Sequence, residues 1–257
     1  MVLKQVRVFL SPFGKLSKTQ EMISIGIVVV TMISIWQTSK YLPSLQEVLL
    51  AFPTLIKERD LDHHFLHSMS FCLSAVGWSF LIGLGFAYLS VIPMFRMFCI
   101  FMRKFRFLPS TGLGFLFMQL TPDIEHRMMW MMVFGIAVWM IDTMIGVALS
   151  IKEDQIRYAS SLRLSPWKTF RELLLFGKAP DMMAAAISTF AISWTLLSAI
   201  ENISKSGGGI GVVLAESNKY YRFDQVYATQ ILILLTGIGI DFFLNKLRRW
   251  FFPFIKS

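Results

Sequence analysis

Charge is what this sequence has least of. Only 16% of its 257 residues are Asp, Glu, Lys or Arg, whereas 55% are apolar and the mean hydropathy is +0.59. Ordinary soluble chains carry about 25% charged residues. A soluble surface needs charge and a lipid-facing surface does not, so the shortage excludes an ordinary soluble domain. Cysteine is almost missing. Cys72 and Cys99 are the only two; they fall near opposite ends of one expected spanning unit, which disfavours a disulfide. Cys72 reads as a small packed hydrophobe. A G-x-x-x-x-G-K-[ST] phosphate loop is absent, since neither Gly14-Lys15 nor Gly177-Lys178 is followed by Ser or Thr. Any nucleotide-driven work must therefore draw on another chain. No nucleophile or metal constellation stands out. His63, His64 and His67 cluster without carboxylate or cysteine partners at ligand spacing and read as interfacial histidines. Met128, Met129, Met131 and Met132 cover two helical faces, the pattern of packing against lipid and neighbouring helices and not of a copper site.

What is present is apolar length. Six segments approach the roughly 20 residues needed to cross the hydrocarbon core: 21–39, 67–92, 107–121, 128–151, 181–204 and 225–244. The third is short and carries Pro109, Gly112 and Gly114. It is expected to be broken, or to begin earlier near Met97, and polar backbone at such a break must be buried in protein or face a cavity. Lys4, Arg7, Lys15 and Lys18 precede the first run, as in a signal peptide, but Gln37-Thr38-Ser39-Lys40 offers no small-x-small cleavage site, so the run reads as a retained helix. With the N-terminus inside, 18 of the 25 Lys and Arg residues lie on the cytoplasmic side, as the positive-inside rule requires. The expectation is an all-α membrane protein with six transmembrane helices and both termini cytoplasmic. Its parts are a cytoplasmic N-terminal segment (1–20), an N-terminal transmembrane helix (21–39), a core (67–244) with a cytoplasmic loop (152–180), and a cytoplasmic basic tail (245–257). The net charge of +9 falls between apolar runs and not along a polar face, which argues for a lipid bilayer and against nucleic acid as partner.

Residues 152–180 form the longest inside loop. Asp154 to Arg163 read as helical, Ser165 is placed to cap a second helix, and Pro166 fits its first turn. Trp167, Phe170, Leu173 and Leu174 recur at three- and four-residue spacing along one face. Two short, basic, amphipathic helices need something to cover their apolar face: lipid headgroups or a cytoplasmic partner. Within the spans, an ionised carboxylate costs at least about 2.5–3.5 kcal/mol at the bilayer centre, which singles out Asp142, Glu201 and Asp241. Asp142 falls near the midplane and reads equally as a pathway residue or a structural pair. Asp241 reads as a helix-end pair with Lys246 or Arg248.

The stretch from Arg157 to Pro180 resembles the EAA loop of binding-protein-dependent ABC importer permeases, E-A-A-x-x-L-G-A-S-x-x-x-x-F-x-x-V-x-L-P-x-x-x-P. Ala159, Leu162, Ser165, Phe170, Leu175 and Pro180 match without a gap, and Leu173 replaces Val. Trp167 suits the subgroup that imports nitrate, sulfonates, taurine and bicarbonate. Other pieces resemble that subgroup in the same order: Leu42-Pro43-Ser44 with Val48, then His64 with Ser68, then Phe107-Leu108-Pro109, then Glu201 with Gly208-Gly209-Ile210-Gly211, then Gly237 with Asp241. The departures are Arg163 at the loop glycine, Arg157 at the leading acid and Phe176 at the first proline.

The resemblance implies a five-helix type I permease core plus the N-terminal helix, in a multi-pass inner-membrane protein. It implies a homodimer working with two cytoplasmic ATPase subunits, which would hold ATP and Mg, and with an external substrate-binding protein. The chain itself is then neither an enzyme nor a cofactor carrier. The imported solute would be a small anion such as nitrate, a sulfonate or bicarbonate. Ala159, Leu162, Arg163, Ser165, Trp167 and Phe170 would transmit ATPase closure, while Glu201 and Gly209 would lie at the outer gate. Two other readings are weighed. A secondary transporter would leave the amphipathic loop unexplained, and no internal repeat of that type is seen. A non-transporting scaffold or sensor that kept the permease fold is kept open by Arg163.

Overall fold

The structure, a computed structural model, describes residues 17–38, 42–108, 112, 114–121, 123–204 and 208–253. Expectations resting on Lys4, Arg7, Lys15, Lys40, Pro109, Lys205, Gly207 and Lys256 lie outside them. The regular elements described are all helical. Helix α1 (Lys18–Thr38) stands largely free of the bundle. Trp36 ties its end down by donating its indole N–H to Pro43 O at 2.9 Å and by meeting Tyr227 edge-on at 4.7 Å.

Helix α2 (Leu45–Arg59) was not expected. Its signal is the Ser44/Glu47 capping box: Glu47 N donates to Ser44 Oγ at 3.3 Å, and Ser44 N to Glu47 Oε2 at 3.0 Å. Val48, Ala51 and Leu55 bury its inner face. Asp60, at φ 46°, turns the chain into α3 (Leu61–Val91), which therefore begins ahead of the expected residue 67.

Among the described residues, five helices are long and apolar enough to cross a membrane: α1, α3, α6 (Ile124–Leu149), α9 (Ala179–Ser204) and α11 (Phe223–Phe251). The expected third span, 107–121, is not one helix. Its place is taken by α4 (Pro93–Met102), a 3-10 stretch at Arg103–Phe107 and α5 (Gly114–Leu120), each too short to span alone. Between α6 and α9 the loop folds as α7 (Glu153–Ser161), α8 (Pro166–Phe170) and a wider π turn at Arg171–Phe176. Helix α10 (Ile210–Lys219) follows α9. Helix α11 runs past residue 244 to Phe251, so Lys246, Arg248 and Arg249 are helical. The expected Asp241 ion pair is not formed among the described residues: Arg248 Nε donates instead to Pro180 O at 3.0 Å.

The core is the seam where α6 packs between α3 and α9. Along α3, the buried residues Ser68, Cys72, Ala75, Ser79, Gly83, Ala87 and Ser90 form a small-residue stripe. The methionines of α6 fill the space this leaves, with Met128, Met131, Met132, Met140 and Met144 all buried. Small residues let helices approach closely in lipid, where no hydrophobic force drives them together. At Gly83 the approach is tight. A Cβ there would sit 2.6 Å from Met140 Cγ and 2.9 Å from Met144 Sδ. Ser79 spans the seam, donating to Val133 O at 3.1 Å.

Candidate functional site

The two groups of residues singled out in the sequence lie at opposite ends of α3. At one end is the 152–180 loop. Helix α7 ends in a Schellman turn, with Leu164 N donating to Ala159 O at 3.3 Å and Arg163 N to Ser160 O at 2.9 Å. The pivot of that turn is Arg163, at φ 56°. This left-handed conformation disfavours any residue with a Cβ and costs roughly 1–2 kcal/mol, which is the physical reason a glycine serves well there. Arginine holds the same turn under strain. Ser165 then caps α8 by accepting from Lys168 N at 3.4 Å, and Pro166 takes the first helical position.

The loop's apolar residues divide between two surfaces. Ala159 and Leu174 are buried. Phe170 packs edge-on against Tyr88 of α3 at 5.8 Å and against Trp167 at 5.8 Å. Leu162, Tyr158 and Trp167 face outward, with Trp167 74% exposed. Beneath the loop lies a cleft of about 640 Å³, bounded by Leu149, Ile156, Leu164, Phe170 and Leu173, with Arg96 at its rim.

At the other end of α3, the carboxyl group of Glu201 is fully buried. Its Oε1 accepts from Ser68 Oγ at 2.6 Å and its Oε2 from Gly211 N at 2.7 Å. Ser68 Oγ accepts in turn from Ile210 N at 2.8 Å, and His64 Nδ1 accepts from Gly209 N at 3.0 Å. Three consecutive backbone N–H groups at the start of α10, donors that a helix cannot satisfy internally, are thus met by three side chains from α3 and α9. Gly209, at φ 110°, has room for nothing larger, because a Cβ would overlap the Glu201 carboxyl group. Gly211 packs as closely: a Cβ would lie 2.5 Å from Ser198 O. Gly208 and Gly209 are therefore no loose turn between two helices. They form a packed latch, and Gly209 is buried. A second tie nearby joins Arg59 of α2 to Glu216 of α10.

Asp142 belongs to neither group. Its Oδ1 accepts from Arg103 Nε at 2.6 Å, and its other oxygen pairs with Arg106. It lies about two turns from the loop-side end of α6 at Leu149, nearer that end than the sequence reading placed it. Of the two readings left open for it, the geometry matches the structural pair. Sequence reasoning missed Arg103 and Arg106 as its partners, since both fall among the basic residues assigned to the cytoplasmic side. It also missed Tyr88, whose place opposite Phe170 carries no sequence signal. His64 and Ser68 had been noted only as motif matches, and nothing in their spacing pointed to Glu201.

These features invite comparison with known proteins. Two crystal forms of the MetNI methionine ABC transporter in inward-facing conformations share the fold, with TM-scores of 0.64 and 0.65. Each is 17% identical, and the match covers 74% of this chain and 94% of that one. No functionally curated protein matches the sequence significantly. The model of the family described as "binding-protein-dependent transport system inner membrane component" matches residues 22–257. With nearly the whole length matched and the fold shared, the chain belongs to this family of inner-membrane transport components.

Proposed function

We propose that this permease couples to a separate cytoplasmic ATPase through its 152–180 loop. ATP binding on the partner would draw two loops of a homodimer together and switch the membrane cavity from inward- to outward-facing. As a member of its family the chain is a multi-pass inner-membrane transport subunit and not an enzyme, so the energy comes from that partner, which holds the ATP and Mg. The observation that carries the reading is the split of the loop's apolar residues. Ala159, Phe170 and Leu174 anchor it to the bundle, while Tyr158, Leu162 and Trp167 are presented outward and remain largely exposed, Trp167 touching Phe170 with one edge only. Exposed aromatic and aliphatic residues on a rigid element are what a docking groove takes up. An external binding protein would deliver the solute, for which the motif resemblance points to a small anion such as nitrate, a sulfonate or bicarbonate. Glu201 and Gly209 would hold the outer gate.

The scaffold reading rested on Arg163. Since Arg163 keeps the left-handed turn that the family's glycine makes, that support falls away. The test is co-purification of the tagged protein in mild detergent, with ATPase activity measured on the eluate. An ATPase should co-purify with the wild type and be lost from Trp167→Asp, whose site is exposed and whose fold should be intact. Unchanged co-purification and unchanged solute uptake in Trp167→Asp would refute the coupling role.

A further inference from the structure

Helix α4 is amphipathic in an unusual way. Cys99 packs inward on Ile141 and Ile145, while Met94, Met97, Phe98 and Phe101 project outward, Met94 being 83% exposed. The helix lies at the loop end of the bundle, where Arg96 shares the loop cleft with Leu149 and Glu153. Around its C-terminal end, Ile100, Arg103, Lys104, Arg106 and Asp142 line a cavity of about 140 Å³. Three cations there face a single carboxylate. Arg103 and Arg106 are about two-thirds shielded from solvent. Lys104 makes no ion pair among the described residues. Asp142 is the one acid that lines this cavity among the described residues: Glu153 lines the neighbouring loop cleft with Arg96, and the remaining carboxylates of α3 and α6, Asp62 and Glu125, lie at the far ends of those helices.

Depth sharpens the point. Asp142 precedes the end of α6 by seven residues, or roughly 10 Å along the axis. That places the cluster at the inner edge of the membrane's polar layer, where unbalanced cations are costly unless an anion meets them. A phosphodiester supplies the missing charge, and its oxygens match the N–H groups of guanidinium. The exposed apolar face of α4 offers a bed for acyl chains beside it.

We infer that the cavity between the end of α4 and α6 binds the headgroup phosphate of one anionic phospholipid of the loop-side leaflet. Lys104 and the remaining N–H groups of Arg103 and Arg106 are its ligands. The inference is independent of the ATPase coupling proposed above.

Native mass spectrometry of the full chain in mild detergent tests it, with phosphatidylglycerol and phosphatidylcholine supplied at equal mole fraction. The wild type should retain one phosphatidylglycerol over phosphatidylcholine by about thirtyfold, as two unbalanced basic groups predict. Lys104→Glu should bring that ratio close to one. Because Lys104 is exposed and unpaired, this variant keeps the Asp142 pairs and its helical circular dichroism should be unchanged. Lys57→Glu, with the same charge change on α2, should keep the preference. Equal retention of the two lipids by the wild type would overturn the proposal, as would equal losses in the two variants. Displacement of phosphatidylglycerol by millimolar inorganic phosphate would overturn it too, by making this a soluble-phosphate site.

Discussion

The latch at the start of α10 can be taken apart quantitatively. Glu201→Ala removes the acceptor of two buried donors, Ser68 Oγ–H and Gly211 N–H. A buried donor left without a partner costs about 1–3 kcal/mol, so the variant should lose about 2–6 kcal/mol of stability. Ser68→Ala orphans Ile210 N–H and takes one donor from Glu201, for about 1–3 kcal/mol. Both variants break the same Ser68–Glu201 bond. The double variant should therefore cost less than the sum, by about 1–2 kcal/mol. Glu201→Gln should be milder, at about 1 kcal/mol, because its amide can still serve Gly211 N–H and donate to Ser68 Oγ. Equilibrium unfolding of the four proteins in mild detergent, followed by helical circular dichroism, completes the cycle. Interhelical hydrogen bonds in membrane proteins average about 0.6 kcal/mol. A Glu201→Ala cost no larger than that, or a cycle additive within about 0.5 kcal/mol, would refute the idea that these groups act as one network.

Three further substitutions probe other parts of the argument. Arg163→Gly should relieve the left-handed strain and stabilise the loop, raising the chain's stability by up to about 1 kcal/mol; a fall in the thermal midpoint would contradict the strain assignment. Gly83→Val forces two methyl groups toward Met140 and Met144 and should destabilise by about 1–3 kcal/mol, measured by the same unfolding assay. Asp142→Ala leaves Arg103 and Arg106 without their shared acceptor. Breaking a buried pair costs about 3–5 kcal/mol, and since a third of each arginine side chain still reaches solvent, the lower end of that range is expected.

The long apolar helices were legible because span length is a one-dimensional property: a run of apolar residues without charge can be counted. That the 107–121 run does not form one spanning helix was legible too, through its short length and through Gly112 and Gly114. Helix α2 should have been legible as well, since Ser44 and Glu47 carry a capping box in plain sequence. It was missed because its mixed composition suits neither a span nor a loop. Asp142 shows the limit of the method. Its burial and charge demanded a partner, but Arg103 and Arg106 lie nearly 40 positions earlier, and only the fold of α4 back onto α6 brings them within reach. The same holds for His64, Ser68 and Glu201. Each sits in a colinear motif match, yet their meeting at three successive N–H groups depends on tertiary geometry that spacing does not encode.

The position of these two sites on one element constrains how the permease can work. Ser68, in the latch, and Tyr88, against which Phe170 of the loop packs, both belong to α3. Twenty residues of continuous helix between them span roughly 30 Å, the thickness of the hydrocarbon core. No proline interrupts that stretch, and the small-residue stripe pressed against the α6 methionines leaves the helix little room to bend or slide. Under the proposed coupling, a displacement of the loop would therefore reach the latch as rigid-body motion of α3 with α6, not as a local deformation that dies out within a few turns. The latch side chains come from α3 and α9 while the N–H groups they hold come from α10. Motion of α3 relative to α9 must then either carry α10 with it or break the His64 and Ser68 bonds and leave Glu201 holding Gly211 alone. Breaking them strands Gly209 N–H and Ile210 N–H, which sets a barrier of a few kcal/mol from the cost of two orphaned donors. A cost of that size would hold the latch closed against small displacements of α3.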